Sequence, residues 1–243
     1  MTGILVVVRL GSKRLHNKHL INTNRGSFLE ILLSRITKEF HAEIIEKEVK
    51  VIVATSDEIQ NKELTKFETE VFFGETNNIP LRQLQCAETF GLNKIISIDG
   101  DDILCAPEAI RDIYKSLISG QEYASTENYP IGMNAMGYTT EFLAKHIEKY
   151  RDNVLVTGWG RIFENATLYR IPSQFDLFPN HRYTLDYSED SNFFKKVIEN
   201  IPLNEFTTNR ILHDVEINKW FEINNYLTEE YLKNFNLEKE NES

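Results

Sequence analysis

The stretch Ile4-Leu5-Val6-Val7-Val8-Arg9-Leu10-Gly11-Ser12-Lys13-Arg14-Leu15-His16-Asn17-Lys18 decides the fold. Its first five residues are uniformly apolar and mostly β-branched, the pattern of a strand covered on both faces. The run breaks at a loop carrying Arg9, Lys13, Arg14 and Lys18, with Gly11 and Ser12 at its turn. No Asp or Glu precedes Glu30, although the chain holds 37 acids against 27 bases. Cations gathered at the carboxyl end of a central strand, in an acidic protein, suit a polyanionic ligand. Gly11 lets the backbone approach closely, Ser12 and nearby amides can donate to phosphate oxygens, and the bases supply charge. Charge alone allows an equal alternative, a solvated surface turn.

Working outward, Ser27-Phe28-Leu29-Glu30 has the form of a capping box, and Leu29, Leu32, Leu33 and Ile36 follow at helical spacing. This predicts a helix over about 27–40. Apolar strands are expected at Val49–Ala54, Val71–Gly74 and Lys94–Ile98, with helices at Pro80–Phe90 and from Pro107 through Leu117. Strands alternating with helices predict an α/β fold, a Rossmann-like, mostly parallel sheet with right-handed crossovers. From 120 to 180 the alternation fades into short segments broken by Pro130, Gly132, Gly137 and Gly158-Trp159-Gly160, which predicts a small antiparallel insertion. Arg182–Leu185 reads as a further strand ending at Asp186, followed by a helix from Ser188 and another near 208–215. The last sixteen residues hold five glutamates and are expected to fray.

The length of 243 residues and 41% apolar content fit one domain over 1–243 with a real core. A net charge of −10 argues against nucleic-acid and anionic-membrane partners. The N-terminal apolar run is too short for a signal-peptide core, and no stretch is long enough to span a bilayer. Cys86 and Cys105 lack metal-type spacing and read as thiols of a reducing compartment, so a cytoplasmic location is expected.

Three strand ends carry polar clusters: the basic loop, Asp99-Gly100-Asp101-Asp102, and Asp186. Carboxyl ends of an open α/β sheet converge on one crevice. Carboxylates beside a phosphate loop would repel the ligand unless a divalent cation sits between them. Magnesium suits that position, taking one or two carboxylates and filling its shell with water and phosphate oxygens. Asp101 and Asp186 are the candidate pair, and helix-capping turn acids are the alternative. His16 and His19 flank the loop within reach of phosphate, although lone histidines more often serve structure. His181 and Arg182 precede Asp186 and suit crevice or surface equally. Arg82 opens a helix, where a cation opposes the dipole, a hint of ligand contact. Cys86 falls on an apolar helix face, Trp159 suits a lid, a pocket wall or a dimer contact, and Trp220 fits packing of the C-terminal arm.

Arg9-Leu10-Gly11-Ser12-Lys13-Arg14-Leu15-His16-Asn17-Lys18 resembles the Arg-x-Gly-Ser-x-Arg-Leu-Pro-x-Lys signature of the sugar-acid and spore-coat-type cytidylyltransferases. Ala54–Asp57, Ile98–Asp101 and Arg182–Asp190 are similar to that family's second-strand ending, its Gly-Asp strand end and its Arg-x-Thr-x-Asp-x-x-Glu-Asp block, in family order. The likeness is strongest to the spore-coat polysaccharide branch. It implies a nucleotide-diphospho-sugar transferase fold and transfer of CMP from CTP to a sugar acid or related acceptor, with release of pyrophosphate, in cell-surface polysaccharide synthesis. A polyol phosphate or phosphonate acceptor, or a non-catalytic nucleotide-sugar-binding role, is the alternative. By the same resemblance Arg9, Gly11, Ser12, Lys13, Arg14 and Lys18 hold the triphosphate, Arg82 faces nucleotide or acceptor, and Asp101 and Asp186 hold Mg2+. Arg9, Arg14, Lys18 and Asp101 are the implied catalytic set, and the 120–180 region is expected to serve a homodimer and the acceptor side. His16 departs from the signature proline, and Asp102-Ile103 from the usual residue-Pro pair.

Overall fold

The computed structural model describes residues 1–12 and 14–242. Its elements, in chain order, begin with β1 (Thr2–Val8), a two-stranded antiparallel ribbon β2 (Asn22–Thr23) and β3 (Gly26–Ser27), α1 (Phe28–Glu39) and α2 (His41–Ile45). They continue through β4 (Val49–Ser56), β5 (Glu70–Gly74), α3 (Ile79–Phe90), β6 (Lys94–Asp99) and α4 (Pro107–Ile118). Then come β7 (Tyr123–Glu127), β8 (Met136–Thr139), α5 (Thr140–Ile147), β9 (Tyr169–Pro172), α6 (Ser188–Asn200), α7 (Thr208–Ile217) and α8 (Thr228–Asn241).

Seven strands form one sheet in the order β5-β4-β1-β6-β8-β7-β9. β5, β4, β1 and β6 run parallel; β8 pairs antiparallel with both β6 and β7, which is the antiparallel element expected after residue 120. Along β1 the side chains alternate, Ile4, Val6 and Val8 entering the layer with α1, α4 and α6 while Leu5 enters the layer with α3 and α5. Both faces are covered, which is why the strand reads as an unbroken apolar run. The capping box exists as read: the Ser27 amide donates to Glu30 Oε2 at 2.6 Å and the Glu30 amide donates to Ser27 Oγ at 3.4 Å. Asn78 caps α3 by accepting from the Leu81 amide at 2.9 Å, and Gly91 closes the helix at φ 64°.

Two expectations are corrected. Residues 182–185 form no regular strand: Arg182 makes a single bridge to Ile131, and the chain runs as a buried strap. Its amides reach loops instead of a strand edge, Tyr183 donating to the Ile131 carbonyl at 2.7 Å and Leu185 to that of Asp101 at 2.9 Å. Nor is the stretch from 228 irregular, since Thr228–Asn241 form α8; Ser243 lies outside the described residues.

The strap passes so close to Gly132 that a Cβ there would lie 2.2 Å from the Tyr183 carbonyl oxygen, and Gly132 itself sits at φ +84°. Gly132→Ala is therefore expected to cost about 3 kcal/mol, from strained backbone plus overlap with main chain that cannot step aside. Urea unfolding measures it; a loss below about 1 kcal/mol would mean the strap is not seated on this loop.

Candidate active site

Because β4, β1 and β6 are parallel neighbours, the loops after all three open on one edge of the sheet. The cleft there has a volume of about 840 Å³, in the range of small-molecule sites. Arg9, Ser12, Arg14, Lys18, Arg82, Asp101 and Asp186 all line it, so the structure unites residues that lie far apart in sequence. Lys13, also expected here, lies outside the described residues.

The basic loop is anchored at both ends. Leu10 is buried, and its amide donates to Asn61 Oδ1 at 3.0 Å, tying the loop to the turn after β4. Asn61 in turn donates to the Ser56 carbonyl at 2.9 Å. At the other end Asn17 adopts the left-handed conformation (φ 50°), which Asn tolerates, and starts the turn that buries Lys18 and His19. His16, in the signature proline's place, is exposed and does not line the cleft.

Lys18 sits where the three clusters meet. Its ammonium donates to Asp101 Oδ2 at 2.6 Å, the Leu185 carbonyl at 2.7 Å and Asp186 Oδ1 at 3.4 Å. His19 Nε2 meets the other Asp101 oxygen at 2.8 Å. Burial works against the charge on Lys18, but Asp101 and Asp186 outweigh it and raise its pKa. Burial likewise opposes ionisation of Asp101, yet the Lys18 charge and the His19 hydrogen bond hold its pKa well below the usual carboxylate range. Arg14 reaches Asp186 Oδ1 at 3.3 Å and faces the Tyr187 ring.

Asp186 is positioned from behind. Arg182, fully buried, donates to Asp190 Oδ2 at 3.0 Å and lies 3.5 Å from Asp186 Oδ2. Asp190 also accepts from the amides of Asp186 and Tyr187, at 2.8 and 2.9 Å, and from Asn224 Nδ2 at 2.8 Å. The Arg-to-Asp block noted in the sequence is thus a bracket that orients one carboxylate, with Arg182 inside the protein. His181 faces elsewhere, stacked between Phe178 and Phe221 and paired with Glu216.

Two further carboxylates, Asp99 and Asp102, stand beside the Asp101 and Asp186 pair. Asp99 opens to the cleft but is walled by protein on its other sides; that enclosure and the nearby Asp101 raise its pKa to about 6 despite Lys18. Burial, followed by Asp99 and Asp101, pushes Asp102 well up. Among the described residues the Asp99 carboxylate has no hydrogen-bond partner, and no three His, Cys, Asp or Glu side chains form a ready-made metal cage. Excess negative charge with free oxygens, facing a basic loop, fits a divalent cation that brings phosphate oxygens as its remaining ligands.

Arg82 props the wall: its Nε donates to the Glu75 carbonyl at 2.7 Å and its Nη2 to that of Thr76 at 3.0 Å. Burial, and Arg9 beside it, lower its pKa to about 10. Gly11, also expected to hold the triphosphate, does not line the cleft; a Cβ there would lie 3.2 Å from Gln60 Nε2. Cys86 is core, its thiol pushed up to about 12 by burial. Trp159 lines the cleft with its ring edge-on to Tyr138.

Sequence reasoning missed the closing wall. Tyr231, Phe235, Glu238 and Lys239 of α8, with Glu242 just beyond it, line the cleft opposite the basic loop. Tyr231 covers the Arg182 guanidinium at 4.5 Å and Glu238 lies 3.7 Å from Arg14. The i, i+4 spacing of Tyr231 and Phe235 was the one available signal.

Known proteins share this plan. A cytidylyltransferase from Leptospira borgpetersenii superposes with a TM-score of 0.78 at 22% identity, covering 90% of this chain and 95% of that one. CMP:2-keto-3-deoxy-manno-octonic acid synthetase, solved with CTP, gives 0.60 at 12% identity over 82% and 98% of the two chains. The 4-diphosphocytidyl-2C-methyl-D-erythritol synthase of Anaerococcus prevotii gives 0.55 at 12%, again over 82% and 98%. These likenesses establish the nucleotide-diphospho-sugar transferase fold. In sequence, an uncharacterized protein of Methanocaldococcus jannaschii is 26% identical over 212 residues, covering 82% of this chain and 84% of that protein. The cytidylyltransferase family model matches residues 4–209, a span holding the basic loop, the Gly-Asp strand end and the Asp186 bracket, so the chain belongs to the cytidylyltransferase family of CTP-dependent nucleotidyltransferases.

Proposed function

We propose that the protein transfers CMP from CTP to a small acidic acceptor, a sugar acid foremost, and releases pyrophosphate, in cell-surface polysaccharide synthesis. The observation that carries this reading is the buried Lys18 ammonium joining Asp101 and Asp186 beside a loop whose Arg9 and Ser12 stay open to the cleft. Arg9, Ser12, Arg14 and Lys18 would bind the triphosphate, and Arg82 with the β5–α3 loop would border the nucleotide. Asp101 and Asp186, with Asp99 alongside, would hold Mg2+, which when bound would offset charge on the α- and β-phosphates. The structural neighbour solved with CTP, a synthetase named for a sugar-acid product, supports both the donor and the acceptor class.

The chemistry asked of these side chains is chiefly placement and charge. An acceptor hydroxyl oxygen attacks the α-phosphorus in line and gives up its proton to solvent, the bond to the β-phosphate oxygen breaks, and pyrophosphate departs. Lys18, fixed by its carboxylate partners, needs little rearrangement to meet the charge growing on the leaving group. Turning Arg14 from Asp186 and Glu238 toward phosphate exchanges partially exposed ion pairs for charge-assisted bonds to a dianionic group.

Thermal unfolding with each of the four nucleoside triphosphates and Mg2+ tests the donor. CTP should give the largest shift, since a ligand at 100 times its Kd stabilises the native state by about 2.7 kcal/mol. Equal shifts, or a largest shift with ATP, overturn the choice of donor.

A further inference from the structure

The far wall of the cleft holds a carboxylate that belongs to the chain itself. Glu242 Oε1 accepts from the Thr157 amide at 2.6 Å and its Oε2 from the Val156 amide at 3.1 Å. The Arg161 guanidinium adds charge, with Nη1 at 3.4 Å from Oε2, and Arg161 Nη2 donates to the Glu242 carbonyl at 2.9 Å. Two adjacent amides and an arginine around one carboxylate, with side-chain exposures of 17% for Arg161 and 12% for Glu242, make a built receptor for that group.

Arg161 is held in place without Glu242, because Nη1 also donates to the Thr157 carbonyl at 3.0 Å and Nη2 to that of Val154 at 3.2 Å. The receptor therefore belongs to the 154–161 segment, and Glu242 is its guest. Gly158, at φ +59°, turns the backbone here and makes room for α8, since a Cβ would lie 2.9 Å from Lys239 Cδ.

The guest is weakly tethered. α8 buries none of its residues, and Leu232 and Leu237 point to solvent at 45% and 48% exposure. Polar contacts hold its outer half: Glu242 in the receptor, the Thr157 hydroxyl on Glu238 at 3.2 Å, Arg14 on Glu238, and Lys239 near Glu164. Glu238 thus spans from the phosphate loop to the receptor, which puts the receptor one side chain away from the proposed triphosphate site. Triphosphate bound to Arg14 would repel Glu238 and loosen the helix at that point.

We propose that the Val156 and Thr157 amides with Arg161 form the subsite for the acceptor's carboxylate, and that Glu242 is a tethered stand-in which the acceptor displaces. This rests on the cytidylyl-transfer reading for the word acceptor; the carboxylate receptor itself stands on the contacts above. A tethered occupant lowers the apparent affinity of a free acid by the fraction of molecules in which the receptor is open.

Acetate is a suitable probe, because it fits a carboxylate receptor whatever the rest of the acceptor is. In the full chain labelled with 15N, acetate should move the Val156 and Thr157 amide resonances saturably in Glu242→Ala. Wild type and the control Glu240→Ala should need roughly ten times more acetate for the same shift. Acetamide should leave both resonances in place in every protein. Equal acetate response in Glu242→Ala and wild type, saturable shifts confined to other residues, or no response at all overturns the proposal. CTP thermal shifts on the same samples keep the two readings apart. Acetate binding without a CTP shift removes the cytidylyl reading and leaves the receptor, whereas a CTP shift without acetate binding does the reverse.

Discussion

Lys18→Met is expected to abolish measurable transfer and to destabilise the free protein by about 3–5 kcal/mol, the cost of leaving buried charges without their partner. Methionine matches the lysine stem in length, so the loss isolates the ammonium. Three acceptors depend on it, the Asp101 and Asp186 carboxylates and the Leu185 carbonyl, all gathered within 3.4 Å of the one ammonium. The pH dependence follows from the shifts. Lys18 has a raised pKa, so its contribution is complete below about 10.4 and fades as pH climbs through the higher folded value. Asp101 has a depressed pKa, so its contribution is complete above about 3.9 and fades as pH falls through the lower folded value. Both are complete at pH 7, where the deficit of Lys18→Met should be largest. Below about pH 4 protonation relieves the stranded carboxylates and the two proteins should converge. A deficit under about 1 kcal/mol at pH 7, in urea melts, would mean that water already satisfies this centre.

That centre was partly legible because its parts are local. A buried strand, a stop, and four bases without an acid can be read from composition along eighteen residues, and the Gly-Asp turn from four. Their meeting at Lys18 follows from parallel strand order, which alternating strands and helices imply. The strap carrying Asp186 was legible as chemistry but not as structure. Arg-Tyr-Thr-Leu has the alternation of a strand, yet its amides pair with the Ile131 and Asp101 carbonyls, partners that no local pattern reveals. Arg182 shows the same limit, since a cation ahead of an aspartate suits crevice or surface equally until Asp190, Asn224 and Tyr231 are seen to enclose it. Five glutamates near the terminus read as a solvated, fraying end. Two of them, Glu238 and Glu242, meet amides at 156 and 157 and the guanidinium groups of Arg14 and Arg161, all distant in sequence. Local propensity carries no trace of such pairings.

Asp99 and Asp101 lie two residues apart on one turn, and neutralising them should move stability in opposite directions. Plain repulsion between neighbouring carboxylates would predict a gain at both. Asp101, however, has each oxygen engaged, one by Lys18 and one by His19, and its pKa is depressed. Asp101→Asn should therefore cost about 2 kcal/mol at pH 7, the range of a charge-assisted bond, with the loss vanishing toward acid pH. Asp99 is the uncompensated member, its pKa raised to about 6. A carboxylate with a raised folded pKa destabilises the fold above its unfolded value near 4, and the penalty is complete above about 6. Asp99→Asn should then stabilise the free protein by about 1 kcal/mol at pH 8, after allowance for its exposure to solvent, and be neutral near pH 4. Transfer should fall by about 10²-fold or more in Asp101→Asn and in Asp186→Asn, the scale on which one electrostatic contact in a transition state is felt. Asp102→Asn is the control, one residue past the match to the family turn, and should be milder. Melts at the two pH values decide the assignment: a gain at Asp101 and a loss at Asp99 would exchange the two roles, with Asp99 then the partner that fixes Lys18.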